Sequence, residues 1–173
     1  SGGVATGWQS ALRSKQVWGP YEYKIVMHQG NTEVNGPHQG GWVTGVDGRH
    51  WFVHFQDVIE LGRITHLQPM CFNEGWPFIG SEQNGDGIGE PVKEWHLPAE
   101  GQPCYEIAQS DDFKGEKLGL QWQWQANPKE VYYSLKGDGG LRLNCLSNDT
   151  RDNLLWYAPN ALTQIPQHRA LSV

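Results

Sequence analysis

Residues 41–79 read GWVTGVDGRHWFVHFQDVIELGRITHLQPMCFNEGWPFI. Within this stretch apolar and polar residues alternate with a period of two, and each run ends in turn residues. Gly41 to Val46 and Arg49 to Gln56 flank Asp47-Gly48, a dipeptide that supplies the positive φ of a tight hairpin. Thr65 to Phe72 and Trp76 to Ile79 flank Asn73-Glu74-Gly75, which reads as a second hairpin. Four short antiparallel strands in sequence order are the unit of a propeller blade. Upstream, Gly7 to Ser14 and Tyr21 to His28 read as two further strands around the Trp18-Gly19-Pro20 turn, and residues 1–80 carry no helical period.

Downstream, residues 81–103 (SEQNGDGIGEPVKEWHLPAEGQP) are rich in Gly, Pro and charge and read as a linker. Leu118 to Ala126, Val131 to Lys136, Leu141 to Leu146 and Leu154 to Tyr157 return to strand-like sequence, with Asp138-Gly139-Gly140 as a hairpin turn and Arg169 to Val173 strand-like again. The expected architecture is all-β. Residues 1–80 form blades, 81–103 a linker and 104–173 the first strands of a sandwich, the chain reading as cut at both ends.

The net charge is −6 and no Lys/Arg stripe exists, so nucleic acid is not an expected partner. No apolar stretch approaches the ~20 residues of a membrane span, so no membrane association is expected. Cys71, Cys104 and Cys145 fit no zinc or redox spacing and read as unpaired packing residues. They leave the redox compartment open; a secreted or periplasmic location is expected over a cytoplasmic one. Glu82-x-Asn84-x-Asp86-Gly87 mimics the start of a calcium loop, but the twelfth position is Lys93 where a bidentate Glu is required, and a plain turn is the simpler reading. Asp111 and Asp112 could ligate a structural calcium, although adjacent acids at a turn are usually only solvated. Trp122 and Trp124 alternate with glutamines, which puts both indoles on one face of a strand. A sandwich core is a more natural home for them than a sugar platform.

Two places could carry chemistry. In Gly36-Pro37-His38-Gln39-Gly40-Gly41-Trp42, a histidine between a Pro turn and two glycines has a tightly held backbone and room for a ligand to approach. Its imidazole faces a ligand or a metal, or more simply bonds to loop backbone. In Leu61-Gly62-Arg63-Ile64-Thr65, Arg63 enters a strand and can donate to a carboxylate or to sugar hydroxyls. The simpler alternative is a surface ion pair with Asp57 or Glu60.

The runs GPHQGGWV, HWFVHFQD, LGRITHLQPM and NEGWPFIG, in that order and spacing, resemble the last blade of glycoside hydrolase family 43. SGGVATGWQSALRSK and GPYEY resemble the preceding outer strands, GDGIGEPV the connection to an appended sandwich, and SDDFKGEKLGLQWQWQANP the opening of that sandwich. The resemblance implies a partial five-bladed propeller with its last blade complete, followed by an incomplete concanavalin-like sandwich. It implies an inverting glycosidase acting on xylosyl or arabinofuranosyl linkages of plant hemicellulose, the rival class being a non-catalytic carbohydrate-binding module. His38 matches the axial histidine of the family, which approaches a central ion or the nearby carboxylates; no cofactor is required, and calcium is the candidate ion. Arg63 matches the arginine lining the sugar pocket. Gln39, Trp8 and Gln9 are carried over as further substrate-binding positions, the last two following Gly2-Gly3. The family's three catalytic acids lie upstream of that double glycine, so none is expected in this chain; Asp57, Glu60 and Glu90 stand at positions that do not match.

Overall fold

The structure is a computed structural model that describes residues 2–101, 105–106, 108–146 and 154–167. It is all-β, with no α-helix among the described residues, and divides into two compact units, Ser1–Gln102 and Pro103–Val173. In the first unit, β1 (Gln9–Arg13) and β2 (Glu22–Met27) form a two-stranded sheet. A four-stranded antiparallel meander follows, made of β3 (Gly41–Thr44), β4 (His50–Val58), β5 (Gly62–Asn73) and β6 (Trp76–Ile79). This is the expected blade.

The turn chemistry sets its register. Gly48 has φ +80 in the β3–β4 turn, and Glu74 and Gly75 have φ 50 and 77 between β5 and β6, the pair of positive values that a two-residue primed turn needs. The central hairpin runs further than expected: β4 continues to Val58 and β5 begins at Gly62, whose φ of +75 closes a loop with Leu61 N–H bonded to the Val58 carbonyl.

Directly opposed residues share a sheet face. One face carries the pairs Phe52↔Gln68 and His54↔His66, the other Phe55↔Thr65 and Asp57↔Arg63. The Phe52 face packs on β2, so that Val26, Met27, Phe52 and Ile79 form the buried core with Ala11 and Met70 against it. Side chains of this size stabilise by about 1.5–3 kcal/mol each when fully buried.

The stretch read as a linker needs correction over its first half. Gly89 bridges Met27, and Ser81 and Glu90 exchange backbone hydrogen bonds of 2.9 and 2.7 Å. The Gln68 amide reaches Val92 at both ends, its oxygen accepting from Val92 N–H at 2.7 Å and its nitrogen donating to the Val92 carbonyl at 3.4 Å. Glu90 and Pro91 are fully buried. Composition marked residues 81–103 as a linker, whereas partners distant in sequence draw residues 89–92 into the first unit while 82–87 stay exposed.

In the second unit, β7 (Trp122–Trp124) pairs with β10 (Leu162–Gln164), and β8 (Tyr133–Leu135) with β9 (Leu141–Leu143). Trp122 and Trp124 are half-buried on one face while Gln123 is exposed. Trp124 packs on Tyr132 and Tyr133, and Trp122 Nε1–H donates to the Asp111 carboxylate at 2.8 Å. That carboxylate also accepts from Phe113 N–H, so Asp111 holds a turn and an indole. Residues Leu155–Tyr157 form a 3₁₀ turn where a strand was expected, and the strand falls at β10 instead. Cys71 and Cys145 are free but exposed, so neither is a packing residue; Cys104 and Arg169 to Val173 lie outside the described residues.

Replacing Gln68 by Leu keeps the volume but strands the Val92 N–H in a buried place. We expect unfolding free energy to fall by about 1–3 kcal/mol, read as a lower urea midpoint at unchanged slope. An unchanged midpoint would mean that the docked segment adds nothing to the unit.

Candidate functional site

His38 sits in a turn made by Gly36, at φ +50, and the buried Pro37. The imidazole is itself buried, with Nδ1 2.6 Å from the Gly36 carbonyl oxygen. A carbonyl only accepts, so Nδ1 carries a proton, and in the neutral imidazole Nε2 is then the acceptor. The loop before β1 roofs this ring: a Cβ on Gly7 would fall 2.5 Å from His38 Nδ1, so only glycine fits there.

Arg63 is the second residue of β5 and is exposed. It lies opposite Asp57 and diagonally across from Phe55, and its guanidinium carbon is 4.6 Å from the Phe55 ring centroid, a cation–π contact. His38 meets the same ring, with centroids 5.4 Å apart and planes at 54°. Two residues far apart in sequence therefore converge on Phe55, which reading along the chain did not single out.

The other expected positions face elsewhere. Trp8 Nε1–H donates to the Tyr23 hydroxyl oxygen at 3.1 Å, and Ser10 Oγ reaches the same oxygen at 3.1 Å. These bonds, that of Ser10 first, hold the Tyr23 phenol below its usual pKa. The Gln9 amide nitrogen donates to the Ser10 carbonyl while its oxygen is buried without a partner; it lines a groove with Val26 and Phe52. Gln39 is exposed, and its contribution is a left-handed backbone with φ 54.

Reading along the chain also missed a histidine stack on the opposite face of the hairpin. His54 and His66 lie with centroids 5.4 Å apart and planes at 17°. His66 Nε2–H donates to Gln56 Oε1 at 3.0 Å. His54 Nδ1–H donates to the Phe55 carbonyl at 3.0 Å, and its buried Nε2 has no partner. Burial pushes the His54 pKa down from 6.5 to about 4, the Phe55 bond opposing and the nearby His66 and His38 adding to the fall. Burial lowers His66 as well.

These residues alone do not make up a calcium site. Calcium takes roughly six to eight oxygen ligands, whereas His38 offers one nitrogen. No group of three or more His, Cys, Asp or Glu able to hold a metal occurs among the described residues. What the residues do offer around Phe55 is one imidazole acceptor and a fork of guanidinium donors, a set suited to neutral hydroxyl groups.

Comparisons with known proteins agree in direction. Residues 110–173 match the family described as GH43_C2, the beta xylosidase C-terminal concanavalin A-like domain. A Xylanibacter ruminicola protein named as a beta-xylosidase is 44% identical over 94% of this chain, and the beta-xylosidase of Formosa agariphila is 36% identical over 90%. The chain spans about a third of the length of the curated relatives it matches, 31% and 30% for these two. Among solved structures, a bifunctional GH43-CE protein of Bacteroides eggerthii superposes with a TM-score of 0.66 at 34% identity, covering 90% of this chain and 19% of that one. The xylan beta-1,4-xylosidase of Bacillus halodurans gives 0.61 at 26% identity, covering 80% and 29%.

Two outcomes follow from the site's packing. Above about pH 7 both folded and unfolded His54 are neutral, so stability is flat there. As pH falls from 6.5 towards 4 the unfolded chain takes up the proton first, and stability drops by about 3 kcal/mol before levelling. Urea unfolding across that range should show the drop, and His54→Gln should flatten much of it; an equal slope in the variant would place the titration elsewhere. Gly7→Ala should displace the His38 ring, seen as a changed imidazole resonance with the β3–β6 backbone spectrum kept. An unmoved His38 resonance would show that the loop yields instead.

Proposed function

We propose that this chain, which belongs to glycoside hydrolase family 43, supplies a wall of the sugar pocket in an enzyme that hydrolyses xylosyl or arabinofuranosyl linkages of plant hemicellulose. The convergence of His38 and Arg63 on Phe55 carries the reading. Both residues match pocket positions of the family, and together they present donors and an acceptor rather than a charged trap. The xylosidase names of the relatives above support the substrate class.

In this reading the reaction proceeds with inversion. One carboxylic acid protonates the leaving oxygen while a second carboxylate, roughly 6.5–9.5 Å away, activates water on the opposite face. Neither role falls to an acid of this chain. Glu90 is wholly buried behind Gly30, out of a sugar's reach, and Asp57 and Glu60 stand off the family's catalytic positions. The chain's own residues bind and orient. Arg63 donates to sugar hydroxyls and, as a positive charge, favours the ionised form of carboxylates beside it; the His38 Nε2 lone pair accepts a hydroxyl proton in a hydrogen bond.

The 173 residues alone should hydrolyse neither 4-nitrophenyl β-D-xylopyranoside nor 4-nitrophenyl α-L-arabinofuranoside. Turnover within about tenfold of a relative's would show that the acid and base lie in this chain after all. In a whole enzyme containing the chain, Arg63→Ala should cost on the order of 30- to 1000-fold in kcat/KM, the effect of removing a charged donor from a dry site. The melting temperature should stay unchanged. Near-native kinetics would remove Arg63 from the pocket, and sugar binding with no hydrolysis by the whole protein would make it a binding module.

A further inference from the structure

We infer that Phe55 is the positioning residue of this site, fixing the Arg63 guanidinium through its ring face while leaving the guanidinium's donors free for a neutral sugar. The inference rests on the pocket reading above and goes further, to the residue that holds the pocket in shape. The register gives Arg63 a choice of neighbours, with Asp57 directly opposite and Phe55 on the diagonal. The structure lays the guanidinium over the ring, 4.6 Å from its centroid.

That choice has a chemical consequence. A bidentate carboxylate consumes two of the five in-plane N–H donors and neutralises the cation. A ring engages the guanidinium through its π face, so the N–H groups at the edge stay available to hydroxyl oxygens. Phe55 is half-buried and Arg63 exposed, so the guanidinium is open to solvent. The same ring borders His38, whose Nδ1–H is committed to Gly36, which fixes the tautomer in which the neutral imidazole offers Nε2 as the acceptor. A single aromatic side chain thus sets the spacing between the donor fork and the acceptor. A carboxylate at position 55 would turn the same arginine into half of an ion pair.

The test uses the 173-residue chain with arginine side chains followed by nitrogen-15 NMR, titrated with methyl β-D-xylopyranoside and separately with L-arabinose. In the parent chain we expect the Arg63 Nε–H resonance to be shifted upfield by the ring current and to move with one of the sugars. Phe55→Leu should lose the ring-current shift and weaken the sugar response by about 2- to 30-fold, the range of one cation–π contact, while Phe55→Trp restores it. Pentafluorophenylalanine at position 55 keeps the shape of the ring but reverses its quadrupole. It should weaken the response as Leu does, and it decides the matter should Phe55→Leu fail to fold. Undiminished sugar binding in the pentafluoro form would overturn the role of Phe55 while leaving the pocket reading standing. A parent Arg63 resonance that moves with neither sugar would sink the pocket reading and this inference with it.

Discussion

The first unit is held by a pairing that involves no regular strand on one side. The Gln68 side-chain amide, emptied of solvent, behaves as a peptide group and accepts and donates to the backbone of Val92. Because Gln68 is on the Phe52 face of the central hairpin, this brings residues 89–92 to that face, where Gly89 joins the end of β2 and Glu90 joins Ser81. The two-stranded β1–β2 sheet and the four-stranded blade therefore share one clasp as well as one core. A buried amide left unpaired costs more than a paired one contributes, so the arrangement is cooperative in the sense that losing either partner exposes the other.

From that constraint the site follows. With one face of the β4–β5 hairpin committed to the core and the clasp, the alternation of side chains puts Phe55, Asp57 and Arg63 on the other face. The stacked His54 and His66 belong to the committed face, where burial lowers the basicity of both.

The hairpins were legible because their information is local: Asp47-Gly48 and Asn73-Glu74-Gly75 state their turns within two or three residues. The clasp was not, since GDGIGEPV has the composition of a linker, and its second half, Gly89 to Val92, is drawn in only through Gln68, Met27 and Ser81. Leu154 to Tyr157 has strand-like composition but forms a 3₁₀ turn, a case where periodicity over four residues cannot discriminate. In the site, His38 and Arg63 stood out through resemblance and through their glycine neighbours. Phe55 did not, because a diagonal cross-strand contact exists only once the register is known, and HWFVHFQD offers three aromatics with equal claim. Trp8 was placed by position in the loop, whereas the Tyr23 hydroxyl decides where its indole goes.

The hold on Arg63 also bears on how the first unit responds to salt. At a physiological salt concentration mobile ions screen exposed charges beyond roughly 8 Å, and at ~1 M the distance shrinks to about 3 Å. An exposed arginine anchored by a surface carboxylate loosens as brine strengthens. One held over an aromatic ring is anchored by a quadrupole at contact range and by the apolar area that the contact hides from water. An arginine held as Arg63 is over Phe55 therefore keeps its place as the ionic strength changes.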